Sequence, residues 1–342
     1  MTAGRALLGR AGGAGPRLLG AAGAALLWAS GCGARARPAT APPNGNLVVG
    51  VAGITTSSRR ARALDLTGLG YRPEDVLHFS YRGLPDPGAE PVAGLDPDGL
   101  EAAYGPADTL GSLRAAAHRL YDQLAALHAR RPGRAVDLVA HSQGGLVAAY
   151  FMGWLYDPAD PLLPRVDHVV TLATPHQGAD LATTVTHLRT TARGRWLLGY
   201  LEPVAAWLGR PIRADSTVLG ELAEDSLLVR QLGAVGLQRL TTIGAGFDVV
   251  VTPSHAGRPG WPGRTNCTGH EGILHDARTR SAVLAALADR PLPPSGPGGD
   301  GLPRLVGRAI QRAEDELGTT LEHWAGWAPA TASQPAPTGA RP

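Results

Sequence analysis

Along the chain, short apolar runs alternate with stretches in which leucines recur at helical spacing. "LVVGVAG" (47–53), "DVLHFSY" (75–81), "AVDLVA" (135–140), "VDHVVTLAT" (166–174) and "LQRLTTIGAG" (237–246) are largely continuous and β-branched, the pattern of strands buried on both faces. Between them, "DTLGSLRAAAHRLYDQLAALHA" (108–129) places Leu110, Leu113, Leu120, Leu124 and Leu127 on one face behind Asp108 as a cap, which predicts an amphipathic helix. A further helix is expected at about 276–288. Strand, helix, strand in repetition predicts a mostly parallel central sheet flanked by helices, spanning 47–290.

The pattern also marks what lies outside that domain. Within it, 176–238 is too long for a simple crossover. It holds "RWLLGYLEPVAAWLG" (195–209), whose apolar side chains predict a helical cap lining an acyl or lipid pocket, with plain packing on the sheet edge as the alternative. "PLPPSGPGGDG" (291–301) is a breaker-rich linker. Residues 302–327 form an amphipathic helix expected to pack back on the domain, and 328–342 a Pro, Ala and Thr tail expected to be disordered. No internal repeat is evident.

The N-terminus has the pattern of a targeting segment. Arg5, Arg10 and Arg17 precede "LLGAAGAALLWA" (18–29), an apolar stretch too short for a membrane span, as in a secretory signal. "ASGC" (29–32) resembles the lipobox of bacterial lipoproteins, in which the cysteine becomes the lipidated first residue. Residues 1–32 are therefore expected to be a signal, with Cys32 lipidated and tethering the protein to a membrane. An ordinary signal cleaved near Ala34–Ala36 is the alternative. "ARARPATAPPNGN" (34–46), within 33–46, is a Pro-rich spacer. The expected location is the cell envelope or the medium. Cys267, the other cysteine, is expected to have no partner in its own chain.

Composition removes several chemistries. All 32 basic residues are Arg, which excludes a Ser-Lys dyad, a Schiff-base lysine and a phosphate-loop lysine. Beyond the first 32 residues, 29 Arg face 29 acids, so no electrostatic case exists for a nucleic-acid partner. Oligomeric state is not legible.

The candidate chemistry sits at "AHSQG" (140–144), a small-x-Ser-x-Gly sequence between a predicted strand and a predicted helix. A serine raised on so sharp a turn needs small residues two positions to either side. The amide of Gln143 would then open the helix and face an oxyanion formed at the serine. Three further stretches follow in order: "TLATPHQG" (171–178), "GAGFDVVVTPSHA" (244–256) and "GHEGILHD" (269–276).

Together these motifs resemble the α/β-hydrolase superfamily, and within it the bacterial extracellular lipases and esterases, with a looser likeness to inositol deacylases acting on lipid anchors. The resemblance covers about 47–290. It implies the α/β-hydrolase fold, a serine hydrolase cleaving carboxylic esters of lipid or acyl type, and no cofactor or metal. It implies Ser142 as nucleophile, Asp248 as the acid and His270 as the base, with His275 and His255 as rivals. The second oxyanion donor is expected from "AGITTSS" (52–58), at Ile54 with Thr55 as its neighbour. Ala52 stands where relatives carry a bracing histidine, a departure that leaves the donor assignment in this loop open. "HEGILH" lacks the HExxH interval of a zinc protease. An acyltransferase using the same residues and a non-catalytic binding protein of the same fold are the alternatives.

Overall fold

A computed structural model describes residues 44–86, 98–207, 212–234 and 240–296. Six parallel strands form one sheet in the order β2-β1-β3-β4-β5-β6: β1 (Leu47–Val51), β2 (Val76–His78), β3 (Val136–His141), β4 (Val166–Leu172), β5 (Leu240–Ala245) and β6 (Gly263–Asn266). Five of these correspond to the predicted apolar runs. β6, with the sequence GRTN, has no apolar side chain, so its edge position gives no hydrophobic signal.

The helices cover both faces, as expected for parallel strands without a solvent side. α1 (Ser58–Ala61) follows β1, and α2 (Leu113–Arg130) precedes β3. α3 (Gln143–Tyr150) begins directly after β3, and its eight residues are all buried. α4 (Asp180–Thr190), α5 (Ala192–Trp207), α6 (Thr217–Leu222) and α7 (Leu227–Ala234) fill the long segment between β4 and β5, and α8 (Ala277–Ala286) closes the domain. Along β1 the pleat sends Leu47, Val49 and Val51 to one face, where Leu120, Leu124 and Leu127 of α2 meet them. Val48 turns to the other, with Val139, Val170 and Ile243, against Ala282 and Val283 of α8. Burying apolar surface at about 25 cal/mol per Å² on both faces is the main stabilising term.

Two local expectations are corrected. α2 starts at Leu113 with Ser112 as its cap, accepting from the Arg114 amide; Asp108 instead accepts from the Gly105 amide in a preceding short turn (Pro106–Leu110). Gly111, with its extended backbone, separates the two. Cys267, expected to lack a partner, is buried and disulfide-bonded. The chain's only other cysteine, Cys32, lies outside the described residues, as do the expected signal 1–32, most of the expected spacer 33–46, and the segments 302–327 and 328–342 expected to be a helix and a tail. Among the described residues no helix is long and apolar enough to cross a membrane.

The architecture is the α/β-hydrolase fold: a mostly parallel sheet flanked by helices, with the turn after its central β3 and the loops after β1, β4 and β5 gathered at one edge.

Candidate active site

The β3–α3 turn carries Ser142 at φ +55°, ψ −129°, outside the regions an ordinary L-residue prefers. The turn is fixed from both sides. The Ser142 amide donates to Leu172 O at 2.8 Å, and the Gly145 amide donates to Ser142 O at 3.0 Å. Gly144 is required, because a Cβ there would lie 2.6 Å from Ala52 O and closer still to Val51 O. The small residue two positions after the serine thus admits the β1 loop against the start of α3.

The loops after β5 and β6 bring two more side chains to this serine. His270 Nε2 lies 2.9 Å from Ser142 Oγ, and His270 Nδ1 lies 2.7 Å from Asp248 Oδ2. Asp248 is fully buried, and its second oxygen accepts the amides of Val250 (2.8 Å) and Val251 (3.0 Å). An ionised carboxylate only accepts, so Nδ1 carries the ring proton and Nε2 is left as the acceptor of the serine hydroxyl. The three residues singled out in sequence are therefore brought together in one hydrogen-bonded chain. The rivals are not: His275 is exposed at the end of a short turn, and His255 lies beside Asp180.

One contributor was missed in the sequence. His141, directly before the serine, stacks on His270 with ring centroids 5.0 Å apart, and its Nε2 donates to the His270 carbonyl at 2.9 Å. Burial, reinforced by the neighbouring His270, pushes its pKa down to about 4, so it is neutral at pH 7 and acts as a hydrogen-bond brace. Its place next to the nucleophile in "AHSQG" was the available signal.

The β1 loop is braced at three points. Tyr81 Oη donates to Ala52 O at 2.6 Å, supplying the support that Ala52 itself lacks. The Thr55 amide donates to Thr109 Oγ1 at 2.8 Å, and Thr56 Oγ1 donates to Gly53 O at 2.6 Å. Gln143 Nε2 donates to Thr109 O at 2.9 Å, so the first residue of α3 and the β1 loop are tied to the same threonine. Of the two expected donors in this loop, the Thr55 amide is engaged by Thr109.

A cavity of about 350 Å³ opens on Ser142 and His270. Its walls are mostly apolar, including Leu181 and Ala182 from α4, Ile212, Leu219 and Leu222 around α6, and Val249–Val251 beside the acid. Of the expected stretch 195–209, none of the described side chains lines the cavity, and those of Val204, Ala205, Trp207, Leu208 and Gly209 lie outside the described residues. Leu197 and Leu198 of α5 pack on Leu188 and Val185 of α4, while Trp196, Tyr200 and Leu201 face outward. The helical spacing of that run gave its apolar character but not which neighbour it meets. On the other side of His141, a second cavity of about 430 Å³ is lined by Ala61, Ala63, Leu64 and Leu274 together with Arg59, Arg60, Arg62 and Glu271.

His176, from "TLATPHQG", is a support buried below the site. Its Nε2 lies 2.9 Å from Thr171 Oγ1, its carbonyl accepts Arg258 Nε at 3.1 Å, and its ring meets Trp261 edge to face. Burial and the nearby Arg258 guanidinium push its pKa down to about 3.

Residues 103–203 match the family described as "Putative serine esterase (DUF676)", a segment that contains Ser142 but ends before Asp248 and His270. Among solved structures, the mature lipase BlEst2 of Bacillus licheniformis is similar at 16% identity, covering 74% of this chain and 96% of that one with a TM-score of 0.45. The Staphylococcus hyicus lipase is similar at 14% identity, covering 74% and 97%, with a TM-score of 0.39. The Pyrococcus furiosus esterase Pf2001 is similar at 16% identity, covering 72% and 84%, with a TM-score of 0.43. No curated protein sequence matches the chain.

Proposed function

We propose that this chain of α/β-hydrolase fold is an exported serine esterase that hydrolyses carboxylic esters with an apolar acyl part through an acyl-enzyme on Ser142. The observation that carries the reading is the hydrogen-bonded run from buried Asp248 through His270 to Ser142, with Ser142 at the mouth of an apolar cavity.

A serine hydroxyl is a weak nucleophile at neutral pH, and this arrangement answers that weakness step by step. Ser142 Oγ attacks the ester carbonyl carbon while its proton passes to His270 Nε2. Asp248 holds the resulting imidazolium and keeps Nδ1–H in place. The carbonyl oxygen becomes an oxyanion facing the Ile54 and Gln143 amides, each such donor contributing about 3 kcal/mol to the transition state. The intermediate collapses as the C–O bond to the alcohol breaks and Nε2 returns its proton to the leaving oxygen. Water then attacks the acyl-enzyme by the same route, yielding the carboxylic acid and free Ser142. The residues named perform every proton transfer in this sequence.

The walls of the cavity suit an acyl chain, and the outward Trp196, Tyr200 and Leu201 suit contact with an assembled lipid phase. Export is supported by the N-terminal pattern of spaced arginines before the short apolar stretch 18–29.

A series of p-nitrophenyl esters of increasing acyl length tests the reading. Hydrolysis should rise in kcat/KM from acetate to a medium-chain optimum and vanish in the Ser142→Ala variant. Undiminished hydrolysis by that variant, or no hydrolysis of any member by the folded protein, would sink it.

A further inference from the structure

Away from Ser142, three side chains able to bind a metal converge from three separate segments. Asp180 is the first residue of α4, Glu224 follows α6, and His255 lies seven residues beyond Asp248 in the loop after β5. One ligand atom from each lies within 4.8 Å of the others. His255 Nδ1 stands 3.4 Å from Asp180 Oδ2 and 3.6 Å from Glu224 Oε1.

Those separations are informative. Ligands held about 2.0–2.1 Å from a tetrahedral centre lie about 3.3–3.4 Å from one another, close to the two imidazole–carboxylate distances here. One imidazole nitrogen and two carboxylate oxygens form a mixed set that suits zinc, whereas calcium takes six to eight oxygens and magnesium an octahedron of oxygens. We propose that Asp180, Glu224 and His255 form a Zn²⁺ site, with water as the fourth ligand.

The surroundings are built for that approach. Asp180 Oδ2 accepts the Thr252 amide at 3.0 Å, which orients the carboxylate toward the loop carrying His255. The Glu224 amide donates to Thr183 Oγ1 at 3.0 Å, holding that segment against α4. Gly178, at φ +95°, lets the backbone of Glu224 come close, since a Cβ there would lie 2.6 Å from Glu224 N. Glu224 is 41% exposed, which leaves an entry path for the ion.

The three ligands belong to segments that also wall the apolar cavity, through Leu181 and Ala182, Leu222, and Val249–Val251. A cation would fasten these walls together. It would touch neither Ser142 nor His270, so its effects fall on stability and on long-chain substrate binding rather than on proton transfer.

The test uses the full-length mature protein, stripped with a chelator and titrated with Zn²⁺ by calorimetry, with metal content measured by elemental analysis. One Zn²⁺ per chain is expected, with Ca²⁺ and Mg²⁺ failing to compete. At about a hundredfold excess over Kd, Tm should rise by about 5–10 °C. His255→Asn and Glu224→Gln should each weaken binding about 100-fold or more while the stripped variants keep the circular dichroism of stripped wild type. Glu224→Gln guards against a folding failure at the less exposed His255. Absence of saturable Zn²⁺ binding, stoichiometric binding unchanged in both variants, or preference for Ca²⁺ would overturn the proposal and indicate only an ion pair. None of these outcomes bears on the Ser142 acyl-enzyme, which the ester series tests separately.

Discussion

β3 is flanked by a histidine–aspartate pair at each end, and the two pairs do different things. At its start, buried Asp137 accepts four side-chain donors: His168 Nδ1 (2.8 Å), Asn46 Nδ2 (3.1 Å), Asn44 Nδ2 (2.8 Å) and Tyr71 Oη (2.7 Å). At its end, buried Asp248 accepts two loop amides and His270 Nδ1. The carboxylate–imidazole contact is nearly the same length in both. What separates them is the far nitrogen of the ring: His168 Nε2 faces the exposed carboxylate of Asp289 at 3.3 Å, whereas His270 Nε2 faces a serine hydroxyl on a strained turn beside a cavity. A second acid beside the ring favours imidazolium, and the hydrogen bond to Asp137 is the main reason the His168 pKa is raised. The first pair is a clasp between strands. The second leaves its ring nitrogen ready to take a proton.

The sharpest break between the two ends is catalytic. Ser142→Ala should lower kcat on a p-nitrophenyl ester by about 10⁶-fold, and Asp248→Asn by about 10⁴-fold, through loss of the Nδ1–H tautomer. Both are read by steady-state kinetics on protein shown to be folded by circular dichroism. The matching change at the other end, Asp137→Asn, should leave kcat unaltered but destabilise the fold by about 3 kcal/mol, because four converging donors lose their charged acceptor. Denaturant unfolding measures this, and a fall in kcat without a fall in stability would dissolve the distinction.

A smaller effect separates the site from its supports. Tyr81→Phe leaves Ala52 O without its phenolic donor, which should cost about 1–2 kcal/mol of stability. If the β1 loop carries the second oxyanion donor, the same change should lower kcat about tenfold with KM unmoved, a split that packing loss alone would not produce. The smallest effect concerns pH. Because the His168 pKa is raised in the fold, its contribution to stability is fully present below its unfolded value of about 6.5 and is lost as pH rises through the folded value. Unfolding free energies of wild type and Asp137→Asn measured from pH 5 to 9 should differ most at the acid end; a constant difference would contradict the clasp.

Much of this was legible in the sequence, for identifiable reasons. Strands buried on both faces announce themselves as continuous apolar runs, and a nucleophile turn needs small residues at fixed offsets, so β1 to β5 and Ser142 stood out. Asp248 and His270 were found through their motifs, since nothing in local spacing says that loops 22 residues apart meet a turn more than a hundred residues earlier. β6 was hidden because an edge strand of GRTN needs no apolar side chain. The cavity lining from Leu181, Ala182, Leu219 and Leu222 falls within the expected cap 176–238 but was not singled out, because periodicity shows that a helix has an apolar face but not what that face meets. Asp137 lay inside an apolar run, a buried charge that should have demanded partners; those partners, Asn44, Asn46, Tyr71 and His168, are scattered and carry no shared pattern. Tyr81 likewise replaced the absent brace at Ala52 from a different strand connection.

The most direct measurement of the central claim is labelling of the folded wild-type protein with a fluorophosphonate, followed by peptide mass mapping. One adduct is expected, on the peptide bearing Ser142, lost in Ser142→Ala and strongly slowed in His270→Ala. An unmodified Ser142 in a protein that still hydrolyses esters, or equal labelling rates with and without the imidazole of His270, would contradict it.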